Sequence, residues 1–207
     1  YGDGDEIHAG TDALDNNSVI YKGGWPYSYN KGEIEDPGFV DTQPYLGKEF
    51  SNFTGPDQFG DDVELYDFAF QGKVTVLDFS AAWCGPCKAM SAWLEGDEDF
   101  AAYDASYPGV REAVERGDVQ WVTIMGDGNG GEDATQVTAE EWYLDFPHDK
   151  IPVIADEHQD LVGYINLTAW PTMLLLSEDM TVEYFGGSYG GMLSYVSENY
   201  TSEVPHE

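Results

Sequence analysis

Cysteine and positive charge are scarce in this 207-residue chain. Two cysteines exclude a structural disulfide framework beyond a single pair. Only eight lysines and arginines face forty acids, for a net charge of -32 and an isoelectric point near 4.1. That balance argues against nucleic acid and anionic membrane surfaces as partners, because both would be repelled. It reads as a heavily solvated acidic surface, suited to saline surroundings where screening limits self-repulsion. A polycation or metal partner is the alternative reading of the same charge. No apolar run is long enough to span a membrane, and no signal-peptide pattern is present. The sequence opens on Tyr1 rather than Met, which suggests a processed or trimmed chain and is compatible with export. Asn-x-Ser/Thr triplets at Asn16, Asn52, Asn166 and Asn199 add little, since such triplets arise by chance.

What is present belongs to a globular protein. Hydrophobic residues make up 42% and aromatics 14%, enough for one domain with a full core. Residues 1 to about 45 are turn-rich, but Tyr21, Trp25, Tyr27, Tyr29 and Phe39 argue against disorder. We expect residues 1–49 to form an arm packed on a domain that spans 50–207. Within that domain, Val63–Tyr66 reads as a short strand and Val74–Phe79 as a buried one. A helix is predicted through Met90, Trp93 and Leu94, then an acidic break at 96–99 and an insertion over 100–108. Helical segments at 110–115 and 134–146 enclose a strand over 119–125 and a Gly/Asp loop over 126–133. A strand at 152–155, a short helical piece over 161–167, a hairpin of 173–176 with 181–185 and a helix over 192–200 complete the chain. This alternation implies an α/β fold with a mixed sheet.

Both cysteines fall in the run Trp83-Cys84-Gly85-Pro86-Cys87-Lys88, directly after the apolar strand. Two intervening residues let one helical turn bring the sulfurs together. A helix N-terminus stabilises a thiolate, the nucleophile of disulfide exchange, and Lys88 adds a nearby positive charge. Gly85-Pro86 suits a first turn, where proline loses no needed N–H. A zinc knuckle or an inert buried pair would use the same spacing. Zinc, however, needs about four ligands, and the four histidines are scattered. The loop Asp127–Asp133 has the composition of a calcium loop but not the EF-hand spacing, since Thr138 stands where Glu is required. We therefore expect no metal and no cofactor beyond a redox-active Cys84–Cys87 disulfide.

The run Val76–Lys88 resembles the active-site segment of thioredoxins, and Trp170-Pro171-Thr172 before an apolar strand resembles their cis-proline loop. The extra helical segment 134–146 and Val63–Phe68 resemble the extracytoplasmic TlpA/ResA-like branch, over about residues 50 to 200. The resemblance implies a thioredoxin-like mixed sheet flanked by helices, with an N-terminal arm and an inserted helix. It makes Cys84 the nucleophile, the more exposed of the two, and Cys87 the resolving thiol. Asp78 becomes a buried proton acceptor, and Pro171 the cis proline facing Cys84. Trp83, Gly85, Pro86, Trp170 and Thr172 would border the substrate, with Lys88 tuning the thiol. Two departures stand out: strand 119–125 carries no lysine near Asp78, and bulky Trp170 stands where a smaller residue is usual.

The resulting expectation is a thiol-disulfide oxidoreductase acting on protein disulfides or dithiols, recharged by an upstream thiol donor. It would work outside the cytoplasm, in a periplasm or anchored through a segment not present here. A redoxin-type thiol peroxidase is the second reading. That chemistry favours threonine three residues before the reactive cysteine, where Ala81 stands. The third is a non-enzymatic metal chaperone on the same scaffold, for which Met90 and Met173 are the nearest soft ligands, more simply read as core.

Overall fold

The structure is a computed structural model that describes residues 19–39, 44–186 and 188–201. His8, His206, Asp3, Asp5 and Asn16 lie outside the described residues. The β-branched and aromatic run after Lys73 forms strand β3 (Thr75–Ala81), and all seven of its residues are buried. Burial on both faces explains why this strand reads as continuously apolar rather than alternating. It pairs in parallel with β4 (Gln120–Asp127) and antiparallel with β6 (Thr172–Leu176). β5 (Val153–Ala155) and β7 (Val182–Phe185) complete a mixed sheet in the order β5-β4-β3-β6-β7.

The two faces of the sheet bury different layers. Leu77, Phe79, Val122 and Ile124 face a cluster with Phe50, Tyr66 and Leu161, which Tyr21 and Trp25 join from the N-terminal side. Val76, Trp121, Met173 and Leu175 face the opposite way, against Met90 and Trp93 of α1 (Gly85–Glu95). Val114 of α3 (Val110–Arg116) and Met192 of α6 (Tyr189–Tyr200) close that layer. Each large side chain buried this way contributes about 1.5–3 kcal/mol.

Two elements differ from the sequence expectation. The strand predicted over 63–66 is shorter. β2 (Asp62–Glu64) pairs with β1 (Thr54–Pro56), and the chain then winds into a 3₁₀ turn over Leu65–Phe68. All four residues of that turn are buried. A two-stranded hairpin hides one face only, so winding is what lets Leu65, Tyr66 and Phe68 all reach the core. The insertion at 100–108 holds a short helix, α2 (Ala102–Ser106). Its Tyr103 stacks on Trp93 with ring centroids 5.3 Å apart. The predicted segment 134–146 is helical as α4 (Gln136–Asp145), and α5 (Asp160–Tyr164) covers the first half of 161–167.

Candidate active site

Cys84 and Cys87 are joined as a disulfide where β3 hands over to α1. The backbone of Cys84 is extended, and its sulfur accepts the Cys87 N–H at 3.2 Å as the helix N-cap. A sulfur in the N-cap position faces the positive end of the helix dipole, which favours the thiolate once the bond is reduced. Gly85 and Pro86 form the exposed first turn. Cys84 is the more exposed of the two cysteines by a narrow margin, and the packing closes over both. Cys84 is only 2% exposed, against 0% for Cys87. Both sulfurs sit in a cluster of small side chains, Ala81, Ala82, Ala134, Ala139 and Ala155, backed by Met125 and Trp142. Alanines let the surrounding backbone approach closely, so little of the disulfide is left open.

Pro171 follows a cis peptide bond after Trp170 and is buried at the start of β6. Thr172 pairs with Phe79 of β3, and its hydroxyl donates to the Ala169 carbonyl at 2.7 Å. Trp170 packs on the rim of the cysteine cluster. Its ring lies over Gly126, where a Cβ would overlap it. Trp83 is half exposed, and its indole N–H donates to Asp127 Oδ2 at 3.3 Å. Lys88 is half-buried and borders a cavity of about 200 Å³ shared with Glu141, Leu144 and Asp145 near or on α4. Among the described residues it forms no ion pair.

Asp78 sits on the face of β3 that carries Val76, the face covered by α1. It is fully buried. Its Oδ1 accepts from the Ser80 hydroxyl at 3.2 Å, while its Oδ2 has no partner among the described residues. Burial pushes its pKa up to about 7, against a smaller opposing effect of its hydrogen-bond donors. A carboxyl with a pKa in that range can take up or release a proton close to neutrality.

Sequence reasoning placed Gly126 and Asp127 in a Gly/Asp loop, whereas both belong to the end of β4, and it missed their contacts with the two tryptophans. Gly126 makes room for the Trp170 ring, and its carbonyl accepts from Gln159 Nε2. Asp127 holds Trp83 and bridges to Asp133. The available signal was position: a glycine at the end of a buried strand invites close approach by another group.

The AhpC/TSA family model matches residues 46–185. Thioredoxin-1 of Schizosaccharomyces pombe is 45% identical over 38 residues, which is 18% of this chain and 37% of that protein's length. A thioredoxin-like protein from Bacteroides caccae superposes with a TM-score of 0.57 at 16% identity, covering 76% of this chain and 50% of that one. The thioredoxin domain of a thiol-disulfide oxidoreductase from Bacteroides vulgatus gives 0.51 at 18% identity, covering 76% of this chain and 99% of that one. At such identities the superpositions speak for the fold. The chain belongs to the AhpC/TSA family and has a thioredoxin-like fold.

Proposed function

We propose that this member of the AhpC/TSA family is a thiol-disulfide oxidoreductase that exchanges disulfides with protein substrates through Cys84 and Cys87. The observation that carries the reading is the disulfide at the N-cap of α1, with the buried, half-satisfied Asp78 beneath the same helix. In the reducing direction the Cys84 thiolate attacks one sulfur of a substrate disulfide: the substrate S–S bond breaks, its other sulfur is released as a thiolate, and a mixed disulfide forms on Cys84. The Cys87 sulfur then attacks Cys84, its proton passes to Asp78, and the substrate leaves as a thiolate. The substrate gains two electrons and the cysteine pair loses two; an upstream dithiol donor restores them. The same pair, driven the other way, oxidises a substrate dithiol.

Trp83, Trp170, Pro171 and Thr172 border the disulfide as the substrate-facing surface, with Gly85 and Pro86 offering an open first turn. Lys88 supports the thiolate from one turn along α1. No other cofactor enters the scheme. We place the protein outside the cytoplasm, on the strength of the helix inserted between β4 and β5.

The test replaces Cys87 with Ala and traps mixed disulfides on Cys84 in the native host. Trapped partners released by dithiothreitol, together with insulin disulfide reduction by the intact protein, support the proposal. Neither trapped partners nor reductase activity would sink it. Consumption of hydrogen peroxide without disulfide exchange would establish the peroxidase instead.

A further inference from the structure

Four buried side-chain polar atoms lack a hydrogen-bond partner among the described residues: Ser28 Oγ, Asp78 Oδ2, Trp121 Nε1 and His148 Nε2. Two of them are neighbours of complementary chemistry. Asp78 Oδ2 accepts; the indole of Trp121 only donates. Trp121 is paired with Val76, and Asp78 with Thr123, so Trp121 stands two residues before Asp78's partner on the adjacent strand. Side chains two apart along a strand share a face. Val76 and Trp121 lie in the same layer beneath α1, so Asp78 and Trp121 share it too. Both are closed off from water, at 0% and 1% exposure. Leaving a donor and an acceptor unpaired in such a site is costly.

We propose that Trp121 is the positioning residue of Asp78: its indole N–H closes on Oδ2 when the carboxyl is charged and opens when the carboxyl takes the proton of Cys87. The inference rests on the proposed thiol-disulfide exchange. In the disulfide form no bond of ordinary length and angle joins the two. The indole is nonetheless close enough to oppose, in part, the effect of burial on Asp78. A hydrogen bond that strengthens with charge aims the free lone pairs and steadies the carboxylate without introducing a cation.

Among the described residues β6 brings no charged side chain to this face, and the charged residue of β4, Asp127, lies at the strand's end, where its Oδ2 accepts from the Trp83 indole. Trp121 also lines a pocket with Lys73, Arg116, Asp149 and Lys150. From α1 the titratable group turned inward is Cys87, with Cys84 at the helix start; Lys88 borders the α4 groove and Glu95 is exposed. On α3, Glu112, Glu115 and Arg116 are exposed, and Arg111 pairs with Asp104 of α2 at 2.8 Å. On α6, Glu198 is exposed, and Tyr189, Tyr195 and Tyr200 pack as partly buried neighbours of the layer. Asp78 responds to burial and to two donors, Ser80 and Trp121.

The test follows the Trp121 indole N–H by NMR in the intact protein, labelled with ¹⁵N-tryptophan, between pH 5 and 9. The resonance is expected to titrate with the Asp78 carboxyl and to lose that titration in Asp78→Asn. A resonance that stays flat, or titrates unchanged in Asp78→Asn, overturns the proposal. In Trp121→Phe, the pH midpoint of mixed-disulfide resolution should rise by about one pH unit, and the substitution should have no such effect in the Asp78→Asn background. An unchanged midpoint overturns it as well. Should Trp121→Phe not fold, the indole titration of the unaltered protein decides alone. A protein without disulfide exchange would remove the proposed function and leave the indole titration standing.

Discussion

Two buried aspartates on opposite sides of the sheet have been treated differently by their surroundings. Asp67, where the N-terminal segment meets the core, accepts from the Tyr21 hydroxyl at 2.6 Å and the Ser28 N–H at 3.2 Å, and pairs with Lys31 at 2.8 Å. Asp78, beneath the cysteine helix, accepts one hydrogen bond of ordinary geometry among the described residues, from the Ser80 hydroxyl. Both are fully buried, and burial raises both pKa values. The other two buried acids follow the first pattern. Asp57 takes the Trp25 indole and the Phe59 and Asp61 N–H groups, and Asp156 takes the N–H groups of Asp160 and Val162. Satisfied acids hold segments together. The one left half-satisfied beneath the cysteine helix retains the energetic freedom to change protonation state, a condition that a proton acceptor requires.

The sharpest way to break this comparison is to remove each acid. Asp67→Ala leaves Lys31 and Tyr21 facing a void, and breaking such a buried pair costs about 3 kcal/mol. The lower end of the usual range applies because Lys31 keeps Glu64 at 2.6 Å. Urea unfolding should show the loss, with disulfide exchange by the folded fraction within about twofold of the parent. Asp78→Asn should do the reverse. Resolution of the mixed disulfide, followed by rapid quench at pH 7, should slow by about 10²-fold, the usual share of a general base. An Asp78→Asn protein that resolves at the parental rate would place both acids in the same structural class.

Stability against pH has the same sign for both acids, so it is their removal that separates them. Asp78 has a pKa of about 7 in the folded chain against an ordinary 3.8. The folded state therefore binds more protons than the unfolded one between about pH 4 and pH 7. Stability from this group falls as pH rises through that window and is level above it, a ceiling of about 4 kcal/mol. Asp67 and Asp156 are shifted in the same direction by burial, so the slope is shared. Asp78→Asn should flatten part of it and raise stability at pH 8 by about 2 kcal/mol. The gain falls below the ceiling because the amide brings donors that also need partners. Urea midpoints at pH 5 and pH 8 measure both changes.

The contrast also marks what the sequence could convey. β3, α1 and the cis-proline loop were legible because their signals are local: an apolar run, two cysteines three apart, a proline before a strand. The sequence suggested Asp78 on resemblance rather than on alternation, because a strand buried on both faces has none to read. Its lack of partners is a tertiary fact. So is the Trp121 indole, since only strand register brings residues 43 positions apart onto one face. The turn at Leu65–Phe68 escaped for the same reason: its residues look like a strand until the sheet has no room for both faces. The closed Cys84 arises from alanines contributed by β3, β5 and α4 and by residues flanking them, which no local window contains.

The smallest effect is also the most discriminating, because it leaves Asp67 in place and removes one of its three donors. Tyr21→Phe deletes the hydroxyl that donates to Oδ2, and keeps the ring, which is 3% exposed in the core. Lys31 and the Ser28 N–H both act on Oδ1, so Oδ2 loses the donor that serves it. A hydrogen bond to a charged group contributes about 1.5–3 kcal/mol, but the acceptor can shed part of that loss by taking up a proton. The expected cost is about 1 kcal/mol at pH 8 and less at pH 5, since losing a donor to the charged form raises the pKa of Asp67 further and steepens the decline of stability with rising pH. Disulfide exchange should not change. If Tyr21→Phe instead altered the rate or pH profile of mixed-disulfide resolution, the two acids would be coupled through the sheet, and the division between a holding acid and a working one would fail.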